Sequence, residues 1–348
     1  MNNPSSSLEA RIDRLHQPGL IDMHFDMLMD LYEKRHRQGV LEQNYLPDFQ
    51  AGGIGVVGAA IYIEEKYLPE MALRVALDQI SCLYAEVDRS PHFAICRSYA
   101  EIVAARQAGK IALLITMEGV EPLGADLHML RVFYELGVRA IGLTHARRNM
   151  AADGGIFAPT GSSKQGLTSF GKEVVRQCEA LGILLDLAHL NPAGTDDLLS
   201  ITQKSVIISH STPRHYYDIE RNSSDAHIRA VGQRGGVIGM NAVLVSPDAQ
   251  GAHLDRYVDE IEYAVELAGA DGVGLGFDFF EFIYRQWSEQ QKAELEAYLT
   301  KPHFLPDLST HAHARNLTRK LIERGFDDEQ IAKVLYGNWL RVFASILK

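Results

Sequence analysis

Eight apolar runs rich in β-branched residues alternate along this chain with segments of helical period, and six of them end on a side chain able to bind a metal or move a proton. The runs cover 20–27, 54–63, 111–119, 138–146, 183–190, 206–211, 236–242 and 272–279, and amphipathic stretches such as 73–87, 127–136, 170–181, 226–234 and 254–267 lie between them. Near-continuous apolar strands separated by helices mark parallel β/α units, because a strand covered by helices on one face and by the barrel interior on the other is buried on both. Eight such units predict a closed α/β barrel of the TIM-like (β/α)8 type rather than an open sheet. Its active site would lie where the strands end, and the chemistry-bearing residues stand there.

A chain of 348 residues, 46% hydrophobic, can bury so large a core, and no internal repeat or composition break marks a second domain. The expectation is one domain over 1–348 with a short N-terminal arm and C-terminal helices. Glycines 137, 182, 235 and 269 fall where left-handed C-caps would sit. Asn191-Pro192 reads as a cap followed by proline in the first turn, and Asp327 with Gln330 as a capping box. Residues 281–308, longer than an ordinary connection, suit either a lid or a static extension over the site.

A formal net charge of −11 argues against a nucleic-acid or anionic-membrane partner, since phosphate binding needs concentrated positive charge. The N-terminal residues are polar, no run approaches the roughly 20 apolar residues that span a bilayer, and Cys82, Cys96 and Cys178 show no ligand spacing. These features predict a soluble cytoplasmic protein whose cysteines are small buried hydrophobes.

The first run, Leu-Ile-Asp-Met-His-Phe-Asp-Met, carries Asp22, His24 and Asp26 at alternate positions, which a regular strand would point one way. His24 and Asp26 can reach one cation; Asp22 is set aside as a ligand. Glu118, His189 and His210 end later runs. For Glu118 the alternatives are a salt bridge inside the barrel or a carboxylate bridging two cations. An isolated strand histidine is ordinarily a satisfied core group, but two at the ends of consecutive strands favour a shared cation. Mixed imidazole and carboxylate donors suit zinc, with manganese, cobalt or iron as other divalent candidates. Two cations roughly 3.5–4 Å apart could hold a hydroxide between them, one served by His24, Asp26 and Glu118, the other by Glu118, His189 and His210.

Asp278, in Gly-Leu-Gly-Phe-Asp-Phe, is placed to take a proton from water and return it to a leaving amine, or else to support a ligand histidine. His145 could donate to a developing oxyanion. Arg221 could bind a substrate carboxylate in bidentate fashion. Arg147 and Arg148 read as loop or helix-surface charges with a possible part in selecting acidic substrates. His311 and His313, two apart and so on different faces of a helix, read as surface residues.

At these residues the chain resembles the renal (membrane) dipeptidase family, the M19 metallopeptidases. The resemblance runs in order through Ile-Asp-Met-His-Phe-Asp, Met117-Glu118-Gly119, Leu143-Thr144-His145, 166–171, Leu185-Asp186-Leu187-Ala188-His189, Ile208-Ser209-His210-Ser211, Arg221-Asn222, Gly235-Gly236-Val237, 273–278, Asn316-Leu-Thr and 337–343. It implies a distorted (β/α)8 barrel holding two Zn2+ and cleaving dipeptides, including those with a C-terminal D-residue. Metal roles fall on His24, Asp26, bridging Glu118, His189 and His210; the acid/base falls on Asp278, carbonyl support on His145 and the substrate carboxylate on Arg221. It also implies a homodimer. Departures at Phe280-Glu281, Ala188 and 146–149 bear on the substrate more than on the metal. The alternatives are hydrolysis of N-acyl amino acids or lactones on the same scaffold, and a metal-containing binding protein without catalysis.

Overall fold

The computed structural model describes residues 4–158 and 165–348. Nine parallel strands form its sheet: β1 Leu20–Phe25, β2 Ile54–Tyr62, β3 Phe93–Ile95, β4 Ile111–Glu118, β5 Val138–Gly142, β6 Leu184–Asp186, β7 Ile207–Ser211, β8 Val237–Met240 and β9 Val273–Leu275. They follow one another in the order β2-β1-β9-β8-β7-β6-β5-β4, and β4 pairs back onto β2 from Val56–Ala112 to Tyr62–Glu118, closing an eight-stranded barrel. These eight strands are the eight predicted runs. The ninth, β3, pairs with the first residues of β4; three residues, Phe-Ala-Ile, are too short a run to display a period.

Alternation along each strand sorts the apolar residues into two layers. Ile21, Met23, Val56, Ala112, Leu114 and Leu184 pack together inside the barrel, whereas Leu20, Val57, Leu113, Ile115, Leu185 and Ile238 face the helices. The C-terminal helix Asn338–Ile346 joins the inner layer: Trp339 is fully buried, and its indole N–H donates to Leu275 O at 3.0 Å. Gly274 is required here, because a Cβ at that position would stand 2.4 Å from Trp339 Nε1. The end of the barrel opposite the strand termini is thus filled by aromatic and aliphatic side chains, leaving the other end to carry chemistry.

The predicted amphipathic stretches form helices at Ala72–Val87, His128–Glu135, Ser169–Leu181, Asp225–Gln233 and Leu254–Ala268. Asn191 caps the helix Pro192–Ile201 by accepting from Gly194 N, and Asp327 and Gln330 form the capping box. Gly182 ends its helix in the left-handed conformation; Gly269, also at positive φ, has ψ 163° and leaves its helix extended, so that cap is of a different kind. The expected N-terminal arm is a helix, Pro4–His16, tied to the helix Ala314–Glu323 by Arg315 and Arg319 on Glu9. Cys96 and Cys178 are buried and Cys82 half-buried, all as free thiols. Among the described residues no helix is long and apolar enough to cross a membrane.

Strict alternation fails at two places, both beside the site. From Asp22 to Phe25, three steps of β1 pass against two of β2, and from Ile208 to Ser211, three steps of β7 pass against two of β8. Such bulges re-aim side chains. Asp22 therefore does not share the direction of His24 and Asp26: it and Phe25 both meet His311 in the helix layer, while His24 and Asp26 turn to the barrel mouth.

Candidate metal centre and active site

The predicted donors leave the ends of β1, β4, β6 and β7 or the turns that follow them, His24 and Asp26 both from β1. His24 stands near the end of β1, and Asp26 is the next residue but one, at the N-terminus of the helix Met27–Glu33. Glu118 is the last residue of β4, on the same strand face as the interior residues Ala112 and Leu114, and His210 lies within β7. His189 and Asp278 occur three residues beyond β6 and β9 and are, among the described residues, the non-glycine ones at positive φ, 63° and 60°. Backbone in that region costs about 1–3 kcal/mol for such residues, and holding it at two barrel-mouth positions marks the turns as built for placement.

The donors converge. His24 Nε2 lies 3.6 Å from Asp26 Oδ1, 3.8 Å from Glu118 Oε1 and 3.7 Å from Asp278 Oδ1. Glu118 Oε1 is also 3.0 Å from His189 Nε2 and 3.4 Å from His210 Nε2, and those two nitrogens are 2.9 Å apart. Atoms of His24, Asp26 and Glu118 form one compact group, as the sequence suggests. The second grouping is wider than expected: His145 joins Glu118 and His189, while His210 also groups with His24 and Asp278, its ring stacked on His24 at 3.6 Å.

Whether cations fit here is answered by the unsatisfied atoms. His24 Nε2, Asp26 Oδ1 and Glu118 Oε1 are buried, face one another and have no hydrogen-bond partner. Buried polar atoms are ordinarily paired, and a facing set of imidazole nitrogen and carboxylate oxygens without partners is what a cation would satisfy. The outer contacts also suit ligation: Ser209 Oγ meets His210 Nδ1 at 2.8 Å and fixes the ring, leaving Nε2 toward Glu118, and Asp186 Oδ1 accepts from the N–H groups of Ser209 and Ala188.

Charge at the site follows the same geometry. Burial opposes a charge on His24, but Glu118, Asp26 and Asp278 around it win and push it up to about 10. Burial raises the carboxyls of Glu118 and Asp278, with His24 pulling each back and Asp26 pushing each further up. His145, His189 and His210 are held well below the usual imidazole range by burial and by the cationic neighbours Arg221 and His24, so they stand neutral, the form in which imidazole ligates.

Asp26, Glu118, His145, His189, Arg221 and Asp278 all line one cavity of about 300 Å3. Arg221, buried, donates to His210 O at 3.1 Å and keeps Nε without a partner. Its far wall comes from residues 280–302, including Ile283, Trp287 and Leu295 of the helices Glu281–Tyr284 and Glu289–Tyr298 and of the turn that joins them. The long segment after β9 thus covers the site.

Three site features lay outside the sequence expectations. Asn241, immediately after β8, donates to Asp278 Oδ2 at 2.6 Å; its strand-end position was the available signal. Arg147 is no surface charge: nearly buried, it donates to Glu121 at 2.8 Å, Glu65 at 3.1 Å and Ile63 O at 2.8 Å, tying together the turns after β2, β4 and β5. Arg148 beside it is exposed, as expected. His311, also expected at the surface, is buried against Asp22, Phe25 and Phe279.

A parallel β/α barrel carrying histidines and carboxylates at the ends of its strands defines a metal-dependent hydrolase of the barrel class. The sequence profile of the membrane dipeptidases, peptidase family M19, matches residues 9–295. The chain belongs to that family, whose members are metallo-dipeptidases, hydrolases acting on peptide bonds. It is 30% identical over 342 residues to an uncharacterised dipeptidase of Schizosaccharomyces pombe, covering 94% of this chain and 77% of that one. It is 28% identical over 276 residues to the dipeptidase verJ of Clonostachys rogersoniana, covering 79% and 66%. A metallopeptidase of Rhodobacter sphaeroides, solved with a phosphinate mimic of the dipeptide L-Ala-D-Ala, has the same fold, with a TM-score of 0.81, 22% identity and coverage of 95% and 99%.

Proposed function

We propose that this chain hydrolyses the peptide bond of dipeptides, including those with a D-residue at the C-terminus, with two zinc ions held by His24, Asp26, Glu118, His189 and His210. The observation that carries this reading is the meeting of partnerless buried donor atoms, Asp278 and Arg221 in one cavity of about 300 Å3, at the small end of ligand pockets and suited to a dipeptide. The phosphinate dipeptide mimic held by the Rhodobacter sphaeroides relative supports the substrate class and the D-configuration.

Bound cations would supply Lewis-acid polarisation and a water of lowered pKa. The protein's own groups do the rest. Arg221, buried and fixed by His210 O, takes the substrate carboxylate and sets how deep the dipeptide sits. His145, neutral and buried with Nδ1 unpartnered, offers an N–H to the carbonyl oxygen as negative charge develops there. Asp278, oriented by Asn241, accepts the proton of the attacking water and delivers it to the amine nitrogen as the C–N bond breaks. Burial raises its carboxyl, which favours this shuttling.

The test is metal analysis together with assay of the metal-loaded chain on a dipeptide panel in both configurations. About two equivalents of zinc and release of free amino acids are expected. Asp278→Asn should retain metal and lose about 10²–10⁴-fold in kcat; full activity would overturn its role. Turnover confined to N-acyl amino acids or lactones would overturn the dipeptidase reading.

A further inference from the structure

The cavity that receives the substrate is chemically uneven, and the unevenness follows the direction of a bound dipeptide. In the reading above, Arg221 holds the carboxylate and Asp278 protonates the leaving nitrogen. Both atoms belong to the C-terminal residue and flank its Cα, so the side chain on that Cα leaves from between Arg221 and Asp278. Four apolar residues are tied to those two positions and line the cavity: Phe157, Val243, Leu244 and Phe280. Phe157 follows Ile156, whose carbonyl accepts from Arg221 N at 3.0 Å. Val243 and Leu244 donate their backbone N–H groups, at 2.6 and 3.0 Å, to the Oδ1 of the same Asn241 that holds Asp278. Phe280 is two residues past Asp278 and is braced edge-on by Phe304 at 5.3 Å.

The charged cavity residues outside the donor set come from elsewhere. Glu64, Glu65 and Lys66 lie on the turn after β2, with Lys66 on Glu64 at 3.0 Å and Glu65 on Arg147 at 3.1 Å. Glu294 lies on the helix Glu289–Tyr298. None of these is on the elements that carry Arg221, Asn241 or Asp278. Four apolar groups would strip a charged C-terminal side chain of water, whereas an apolar one would bury its surface there.

We propose that the chain selects dipeptides whose C-terminal residue carries a large apolar side chain, of leucine, methionine or phenylalanine size, received by Phe157, Val243, Leu244 and Phe280. This selectivity rests on the dipeptidase reading and makes those residues determinants of specificity rather than catalytic residues.

Steady-state kinetics of the zinc-loaded chain on an Ala-Xaa series, with Xaa as Ala, Leu, Phe, Asp and Lys in both configurations, tests it. In the configuration the site accepts, kcat/KM for Leu and Phe should exceed that for Ala by about tenfold and that for Asp and Lys by about 100-fold. Leu244→Ala and Phe280→Ala should each reduce the Leu-to-Ala ratio by about fivefold or more, mainly through KM. Equal rates across the series, or faster turnover of Asp or Lys, would overturn the selectivity and leave the dipeptidase reading standing. An unchanged ratio in both variants would overturn the assignment to these residues. Hydrolysis of no dipeptide at all would overturn the reading beneath the proposal and the proposal with it.

Discussion

His311 Nε2 lies 2.7 Å from Asp22 Oδ2, while Asp22 Oδ1 accepts from Phe277 N at 2.8 Å. This contact joins the turn before the helix Ala314–Glu323 to the two strand ends that carry His24 and Asp278. His311→Ala would leave a fully buried carboxylate short of its side-chain partner and open a hole among Phe25, Phe49 and Phe279. A loss of about 3 kcal/mol in unfolding free energy is expected, read as a lower urea midpoint at unchanged slope. A change within about 0.5 kcal/mol would show the pair to be dispensable.

Asn241 orients Asp278 without reaching the donor cluster itself. Asn241→Ala should lower kcat by about 10-fold to 100-fold, with zinc content unchanged and KM changed much less, because in the proposed mechanism the lost contact steers proton transfer rather than binding. Metal analysis alongside kinetics separates this from collapse of the site, and parallel loss of zinc would refute it.

Metal uptake should depend steeply on pH. Without a cation, His24 keeps its proton up to about 10, because the carboxylates of Glu118, Asp26 and Asp278 outweigh the burial that opposes its charge. A cation takes Nε2 only by displacing that proton, so affinity should climb as pH rises through neutrality, and about one proton per chain should be released from this group. Titration calorimetry at pH 7 in two buffers of different ionisation enthalpy reads the release; binding heats independent of buffer would contradict it.

At the closed end of the barrel, Trp339→Ala should cost about 3–5 kcal/mol, since it removes a fully buried indole from among Ile21, Met23 and Val56. Its distance from the barrel mouth makes the expected kcat of the folded, zinc-loaded variant close to that of the parent. Denaturation and kinetics on one preparation check both halves, and a large fall in kcat with stability intact would refute the separation.

Much of the architecture was legible because it rests on local pattern. Each run from Leu20 to Asp278 carries its own burial signal, and a donor at the end of a parallel strand must come to the barrel mouth once the strand order closes. What local pattern misled on is equally specific. Regular alternation would align Asp22 with His24, and a bulge opposite β2 separates them. Helical spacing would put His311 at the surface, but the chain enters the helix Ala314–Glu323 through a short 3-10 turn and packs the ring under β1. Arg147 reads as a surface charge because Glu65 and Glu121, which neutralise it, are 82 and 26 residues away in sequence.

The sequence by itself determined the eight-unit alternation, which strand ends carry side chains able to bind a metal, and caps such as Asn191 and Asp327, since period, propensity and strand termini are properties of short segments. Tertiary structure alone decided how those side chains group, which oxygen of Asp278 Asn241 holds, and that Phe157, Val243, Leu244 and Phe280 line one cavity with Asp278 and Arg221. These depend on barrel closure and on two bulges that rotate a few side chains relative to their neighbours. Both are set by the balance of packing across strands far apart in the chain, which no local run of residues encodes.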